Sequence, residues 1–208
     1  SELLDAVESR GEMDVIGDFA YPLPATVICE MLGLPQSDRP QFRRWSDDII
    51  GLLGAGADAE RAERGQRSLR QLREYYRRII GERRNRPGDD LISALIHAHE
   101  HGQRLSEAEL LSTSVTLLTA GQETTTSLIA NGLLALLLNP DQLQLLKSRT
   151  ALMTSAVEEF LRYDSPVQRQ LRLATEDFKL DGHRIRKGEI VSPFLGAANR
   201  DPAQFPDP

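Results

Sequence analysis

One cysteine, Cys29, stands in 208 residues. A lone thiol excludes an intrachain disulfide, a zinc site built on two or four thiolates and a Cys-x-x-Cys redox pair, and it fits a reducing compartment. Long hydrophobic runs are also missing. The longest, Leu128 to Leu138, is broken by Asn131 and Gly132 and reaches about half the ~20 residues a membrane span needs, so no membrane-spanning helix is expected. The first residues, Ser1-Glu-Leu-Leu-Asp-Ala-Val-Glu8, are amphipathic and acidic with no basic region leading into an apolar run. A secretory or transit segment is therefore not expected, and the chain reads as beginning within an element. No repeat and no low-complexity tract is present. Positive charge is in deficit, 25 Lys+Arg against 31 Asp+Glu for a net −6, which argues against global polyanion binding. With 40% apolar and 27% charged residues, the chain is an ordinary folding sequence, not a disordered one.

Most of it reads as helix with short polar punctuation. An opening helix stops near Gly11, and Tyr21-Pro-Leu-Pro24 leads into an apolar helix from Ala25 to Leu32, closed by Gly33 and Pro35. Cys29 lies between Val27, Ile28, Met31 and Leu32 and reads as a small buried hydrophobe. A second helix is expected around Arg39 to Leu53, followed by a turn at Gly54 to Gly56. Then comes a local basic excess. From Glu60 to Arg86 there are ten arginines and four acids. They recur at steps of three and four beside Leu69, Leu72, Tyr76 and Ile80, so the first reading is a solvated helix face. The competing reading is an interaction module that binds nucleic acid or an acidic partner through Arg61 to Arg86. His97 and His101, with His99 between them, could share a divalent metal one helical turn apart, but no fourth ligand is indicated. Histidines before Gly102 also suit a helix C-terminus.

Ser106-Glu-Ala-Glu109 is a capping box, and nothing stops the following helix until Asn139-Pro140. The expected helix runs over 106–139, roughly 34 residues or about 50 Å. Its centre breaks the pattern of its Leu-rich flanks: Leu118-Thr-Ala-Gly-Gln-Glu-Thr-Thr-Thr-Ser127 collects residues that weaken a helix. Leu117, Ala120, Gly121, Thr124 and Leu128 share one face, on which side chains shrink to leave room against the backbone. Thr124 is placed to bond the carbonyl of Ala120. Glu123 beside Thr124 pairs an acid with a hydroxyl, a combination able to organise water and pass protons; the alternative is close helix packing over small residues.

A further helix, roughly Thr150 to Tyr163, carries Glu159 about 20° from Leu152 on the helical wheel. That places the carboxylate beside an apolar stripe, partly buried, with Arg162 as its charge-assisted partner. Beyond Ser165-Pro166 the pattern becomes extended. A hairpin is expected about Asp181-Gly182 and a turn at Lys187-Gly188 before 189–194, making a small β region over 167–194. Asn199-Arg-Asp-Pro202 and Phe205-Pro-Asp-Pro208 form an irregular tail.

In order and spacing these segments resemble the central part of a soluble, bacterial-type cytochrome P-450, a haem-thiolate monooxygenase. Ala120-Gly-Gln-Glu-Thr-Thr125 is similar to the family's long-helix motif, and Glu159-Phe-Leu-Arg162 to its Glu-x-x-Arg helix. Arg172 matches an arginine that contacts a haem propionate in relatives. Asp18 to Pro24, Ala197 to Pro202 and Phe205 to Pro208 match further family segments, so the likeness spans essentially the whole chain. The resemblance implies a mainly α, orthogonal helical core around one long central helix, as a single domain truncated at both ends. It implies haem as cofactor, with Ala120 and Gly121 against it on the oxygen-binding side. Thr124 would then hydrogen-bond the iron-bound oxygen or its water, Glu123 would feed protons for O–O cleavage, and Glu159 and Arg162 would brace the core. The substrate would be a small organic molecule with O2, and the electron donor a ferredoxin-type or flavin reductase protein. Neither nucleic acid nor membrane is an expected partner, and the expected location is cytoplasmic. The sequence departs from the family at Gln122, where histidine or aspartate is frequent. It departs more seriously in the axial cysteine, expected beyond Pro208, which leaves no metal ligand in this chain; Cys29 matches nothing in that loop. The 208 residues alone are therefore expected to be inactive.

Overall fold

The computed structural model describes residues 2–52, 58–100 and 103–206. The end of the second predicted helix at Leu53, the turn at Gly54 to Gly56, His101, Gly102 and the last two residues lie outside them. The described chain falls into two compact units, Ser1–Thr126 and Ser127–Pro208.

In unit 1, helix α1 (Glu2–Glu8) buries nothing. A π-helical turn over Val15–Ala20 follows, capped by Asp14, whose side chain accepts from the amide of Ile16. Helix α2 covers Pro22–Leu32, three residues earlier than the sequence indicated. Its prolines occupy the first turn, where amides have no intrahelical acceptor and a missing N–H costs nothing. Gly33 ends the helix at φ 65, the left-handed region, which glycine enters without a Cβ penalty. An alanine there would also meet the Asp90 side chain, at 2.7 Å.

Helix α3 (Arg39–Ile50) and helix α4 (Ala59–Asn85) pack on one another. Asp58 caps α4 by accepting from the Arg61 amide at 2.7 Å. Helix α5 (Leu91–His97) is capped by Asp90, and a two-residue antiparallel pair, β1 (His99–Glu100) with β2 (Gln103–Arg104), follows it. These helices and the first part of α6 (Glu107–Leu138) enclose one apolar core. Ala25, Cys29, Leu32, Phe42, Leu72, Tyr76, Ile92 and Leu118 within it are fully buried. Cys29 is thus the buried hydrophobe that its neighbours implied, and burial pushes its thiol up to about 11. Val15–Leu32 has a mean hydropathy of 1.3 over 18 residues, yet Pro22 and Pro24 interrupt it and Ala20, Ala25, Ile28, Cys29 and Leu32 are buried in the protein.

Unit 2 holds the end of α6, then α7 (Pro140–Ser148), a 3-10 turn over Thr150–Leu152 and α8 (Met153–Tyr163). Two small antiparallel pairs follow: β3 (Arg172–Leu173) with β6 (Ile190–Val191), and the hairpin of β4 (Phe178–Leu180) with β5 (His183–Ile185). Asp181 and Gly182 turn that hairpin at φ 47 and 81, the double positive φ that suits the strands' twist. A short α9 (Leu195–Ala198) precedes the tail. Among the described residues of unit 2, Ala174 is the only buried hydrophobic side chain, whereas Leu137, Leu138, Leu173, Ile190 and Phe194 are all more than half exposed.

Candidate active site

The capping box forms as drawn: the Ser106 amide and hydroxyl both donate to Glu109 Oε2, at 2.8 and 2.7 Å. The Glu109 amide donates to Ser106 Oγ at 3.3 Å. At the other end Pro140 opens α7, and α6 stops at Leu138. Between these limits the hydroxyls that should weaken the helix turn back onto it. Ser114, Thr119, Thr124 and Thr126 donate to the carbonyls of Leu110, Val115, Ala120 and Gln122 at 2.8 to 3.0 Å. Each of these four hydroxyls is satisfied by its own helix and needs no outside partner.

Ala120 and Thr124 lie one turn apart and both are exposed. Thr124 Oγ1 donates its proton to the Ala120 carbonyl at 2.8 Å, which leaves its lone pairs facing outward as acceptors. Gly121 points elsewhere: a Cβ there would meet Ile28 of α2 at 3.2 Å, so its lack of a side chain lets α2 and α6 approach. Glu123 is half-buried, and burial raises its pKa above the usual carboxylate range. Asp47 on α3 adds to the rise and Arg43 opposes it. An acid of this kind keeps its proton to higher pH than an exposed one. No local spacing links these α3 charges to Glu123, so sequence reasoning misses them.

Gln122 is 2% exposed, and neither Oε1 nor Nε2 has a protein partner among the described residues.

In unit 2, Arg162 grips Glu159 with two parallel bonds, Nε to Oε2 at 2.7 Å and Nη2 to Oε1 at 2.6 Å. Its third donor, Nη1, reaches the Asn199 carbonyl at 2.8 Å. The pair exists, but the expected burial of the acid does not. Glu159's side chain is 53% exposed and Arg162's 15%. The arginine is the enclosed partner because it ties α8 to the segment after α9, where Arg200 also donates to the Tyr163 carbonyl at 2.7 Å. The bonds from Arg162 hold the Glu159 carboxyl below its usual range. A mostly apolar pocket of about 350 Å3 between the end of α6, α7 and α8 is bordered by Glu159, Phe160 and Tyr163. Arg172, on β3, is exposed, and its guanidinium donates to the Leu171 carbonyl at 3.0 Å and to the Gln170 side chain.

The competing features resolve differently. Six of the nine arginines on α4, at 64, 67, 77, 78, 83 and 84, are ion-paired. The helix is thus largely the solvated, salt-bridged face expected of it, and nothing supports a nucleic-acid module. His97 ends α5, and His101 lies outside the described residues. Among the described residues no group of three or more His, Cys, Asp or Glu side chains is placed to hold a metal.

The family model "Cytochrome P450" matches residues 31–148 and 146–208. The chain belongs to the cytochrome P450 family. It is 47% identical over 208 residues to cytochrome P450 CYP107DY1 of Priestia megaterium, covering all of this chain and 50% of that protein. Over 209 residues it is 43% identical to the 6-deoxyerythronolide B hydroxylase of Saccharopolyspora erythraea, again covering all of this chain and 50% of the relative. The crystal structure of P450BioI in complex with hexadec-9Z-enoic acid ligated acyl carrier protein superposes with a TM-score of 0.93 at 40% identity, covering 99% of this chain and 53% of that one. The helical fold read from the sequence is therefore the fold of bacterial P450 structures. The chain spans about half the length of the curated relatives it matches.

Proposed function

We propose that these 208 residues form the central portion of a soluble, cytoplasmic haem monooxygenase, which inserts one oxygen atom of O2 into a small, apolar organic substrate. The observation that carries this reading is the centre of α6: an open Ala120–Thr124 face beside a half-buried acid of raised pKa. The hydroxylase among the relatives and the fatty-acyl ligand of P450BioI support a substrate of that class. Electrons would come from a ferredoxin-type or flavin reductase partner.

The donor set bears on the cofactor. Nothing larger than a methyl or a hydroxyl group projects from residues 120 and 124, so a flat macrocycle can approach this turn of α6. Arg172, in unit 2, carries a guanidinium of the kind that pairs with a propionate. The fit stops at the iron ligand. Cys29 is fully buried in the core of unit 1 with a thiol pKa of about 11, so no thiolate of this chain is available. Haem, when bound, supplies the iron and the redox chemistry of dioxygen. Thr124 offers an acceptor toward the reacting face and can rotate to donate. Glu123, holding its proton more firmly than an exposed acid, delivers it through that hydroxyl or an ordered water. Glu159 and Arg162 brace unit 2, and the thiolate comes from outside these residues.

Two measurements follow. The 208-residue chain, purified with haem and reduced under carbon monoxide, is expected to show no thiolate-type Soret band; a stable one would overturn the assignment of the ligand. In the full-length enzyme, Glu123→Gln is expected to lower product formation roughly 10²-fold, the usual scale of a positioned proton donor. The wild-type rate should fall as pH rises through the raised pKa of Glu123, and the Gln variant should lack that limb. An unchanged rate and profile would remove Glu123 from proton delivery.

A further inference from the structure

A second site lies between α3 and α4, in a cleft of about 400 Å3. From α3 it is lined by Gln41, Arg44, Trp45 and Asp48, which follow the i, i+3, i+4, i+7 spacing of a helix-packing stripe. From α4 it is lined by Arg64, Arg67, Ser68 and Gln71, with the same spacing. The apolar packing of α3 on α4 runs beside the cleft, through Phe42, Leu72 and Tyr76, and the cleft lies on the polar side of that seam with Trp45 as its one apolar wall.

The floor is ordered by hydrogen bonds. Trp45 and Ser68 are 6% and 5% exposed. Trp45 Nε1–H donates to Gln71 Oε1 at 3.0 Å, which fixes the amide and leaves its NH2 as a donor. Ser68 Oγ donates to Asp48 Oδ2 at 2.6 Å, leaving Oδ1 as an acceptor. The rim is cationic. Arg44 is exposed and makes no ion pair among the described residues. Arg64 and Arg67 each touch one carboxylate along α4, Glu60 at 2.6 Å and Glu63 at 2.9 Å, and those acids are 81% and 70% exposed. Exposed pairs of this sort are worth about 1 kcal/mol or less, so the guanidiniums can exchange them for a better acceptor. Phosphate is that acceptor, because its oxygens match the guanidinium fork bidentately.

We propose that this cleft binds the phosphate group of an organic phosphate monoester. Arg44 and Arg67 hold the anionic oxygens, the Gln71 amide donates to them, and Asp48 accepts from the P–OH of the singly protonated form. Asp48 therefore discriminates against sulfate, which carries no proton to donate at neutral pH. The cleft is larger than a bare phosphate fills, which leaves room for the organic part of the ester. This site is independent of the haem chemistry proposed above, and either can fail without the other.

Trp45 is the only tryptophan in the chain, so its emission reports directly on the floor of the cleft. The 208-residue chain is titrated at constant ionic strength with glycerol 3-phosphate, inorganic phosphate and sulfate. A saturable change is expected for both phosphates, tighter for the ester, and none for sulfate at matched concentration. The double variant Arg44→Gln/Arg67→Gln should raise the half-saturating concentration at least tenfold with the far-ultraviolet circular dichroism unchanged. Arg70→Gln, an exposed arginine of α4 outside the cleft, should leave it unaltered. No saturable change, an equal response to sulfate, or equal weakening by Arg70→Gln would overturn the site. Binding of inorganic phosphate without the ester would reduce it to an adventitious ion only and overturn the ester assignment.

Discussion

Asp90→Ala is expected to destabilise unit 1 by about 3–5 kcal/mol, the scale for breaking a buried ion pair on one side. The Asp90 side chain is 4% exposed. It accepts from Arg83 Nε at 2.7 Å, from the Ser93 amide at 2.8 Å and from Ser93 Oγ at 3.1 Å. Arg83 Nη2 in turn donates to the carbonyl of Gly33 at 2.9 Å. One carboxylate thus caps α5, anchors the end of α4 and, through Arg83, closes the C-terminus of α2. Removing it leaves a guanidinium without its anion and an N-terminal helix amide without an acceptor. Arg83 is itself 25% exposed, so water relieves part of the penalty and the lower end of the range applies. Urea denaturation followed by Trp45 emission measures the loss, with Asp90→Asn expected to retain part of the stability by keeping the cap. A loss below about 1 kcal/mol, typical of an exposed pair, would show that Asp90 is not the junction its bonds describe.

Phe42→Ala should cost about 3–5 kcal/mol by a different route, since an aromatic core residue leaves a cavity as well as losing its transfer energy. Phe42 is fully buried. Its ring meets Tyr75 edge-on at 5.2 Å and lies 6.1 Å from Trp45. Tyr75 is fixed by donating to Asp38 Oδ2 at 2.7 Å, which leaves the cluster little freedom to collapse into the space. The same urea titration checks the value. Phe42→Leu should recover most of the loss, and a Phe42→Ala cost under about 1.5 kcal/mol, the level of a volume-conserving swap, would mean that the neighbours refill the cavity.

What could be read in advance was what depends on near neighbours in sequence. The Ser106 and Glu109 side chains serve amides within a single turn, Pro140 acts on the turn before it, and the Asp181-Gly182 hairpin is set by two backbone angles. Thr124 bonds a carbonyl four residues back. Each of these interactions is complete within a short window, and each formed. The start of α2 is not legible, because Tyr21-Pro-Leu-Pro24 reads equally as a loop or as a first turn, and only the packing of Pro24 and Ala25 into the core decides. The exposure of Glu159 is hidden from the sequence for a related reason. A helical wheel gives a side chain's angle to its own apolar stripe, not whether anything covers that stripe. Here Met153 is 51% exposed and Val157 39%, so a carboxylate beside them is exposed too. The bonds joining Arg83 to Gly33, Trp45 to Gln71 and Arg162 to Asn199 connect residues far apart in the chain, and no periodicity announces them.

The single buried hydrophobic side chain in the described part of unit 2 carries a consequence for cooperativity. Burial of apolar surface is what makes a structure melt all at once and gives unfolding its large heat capacity. Unit 1 has such a core and can lose it in one step. Unit 2 is held by Arg162, Arg200 and short ladders that water can replace one at a time, so a heat or urea curve for the whole chain reports the first unit, and no single unfolding free energy describes both.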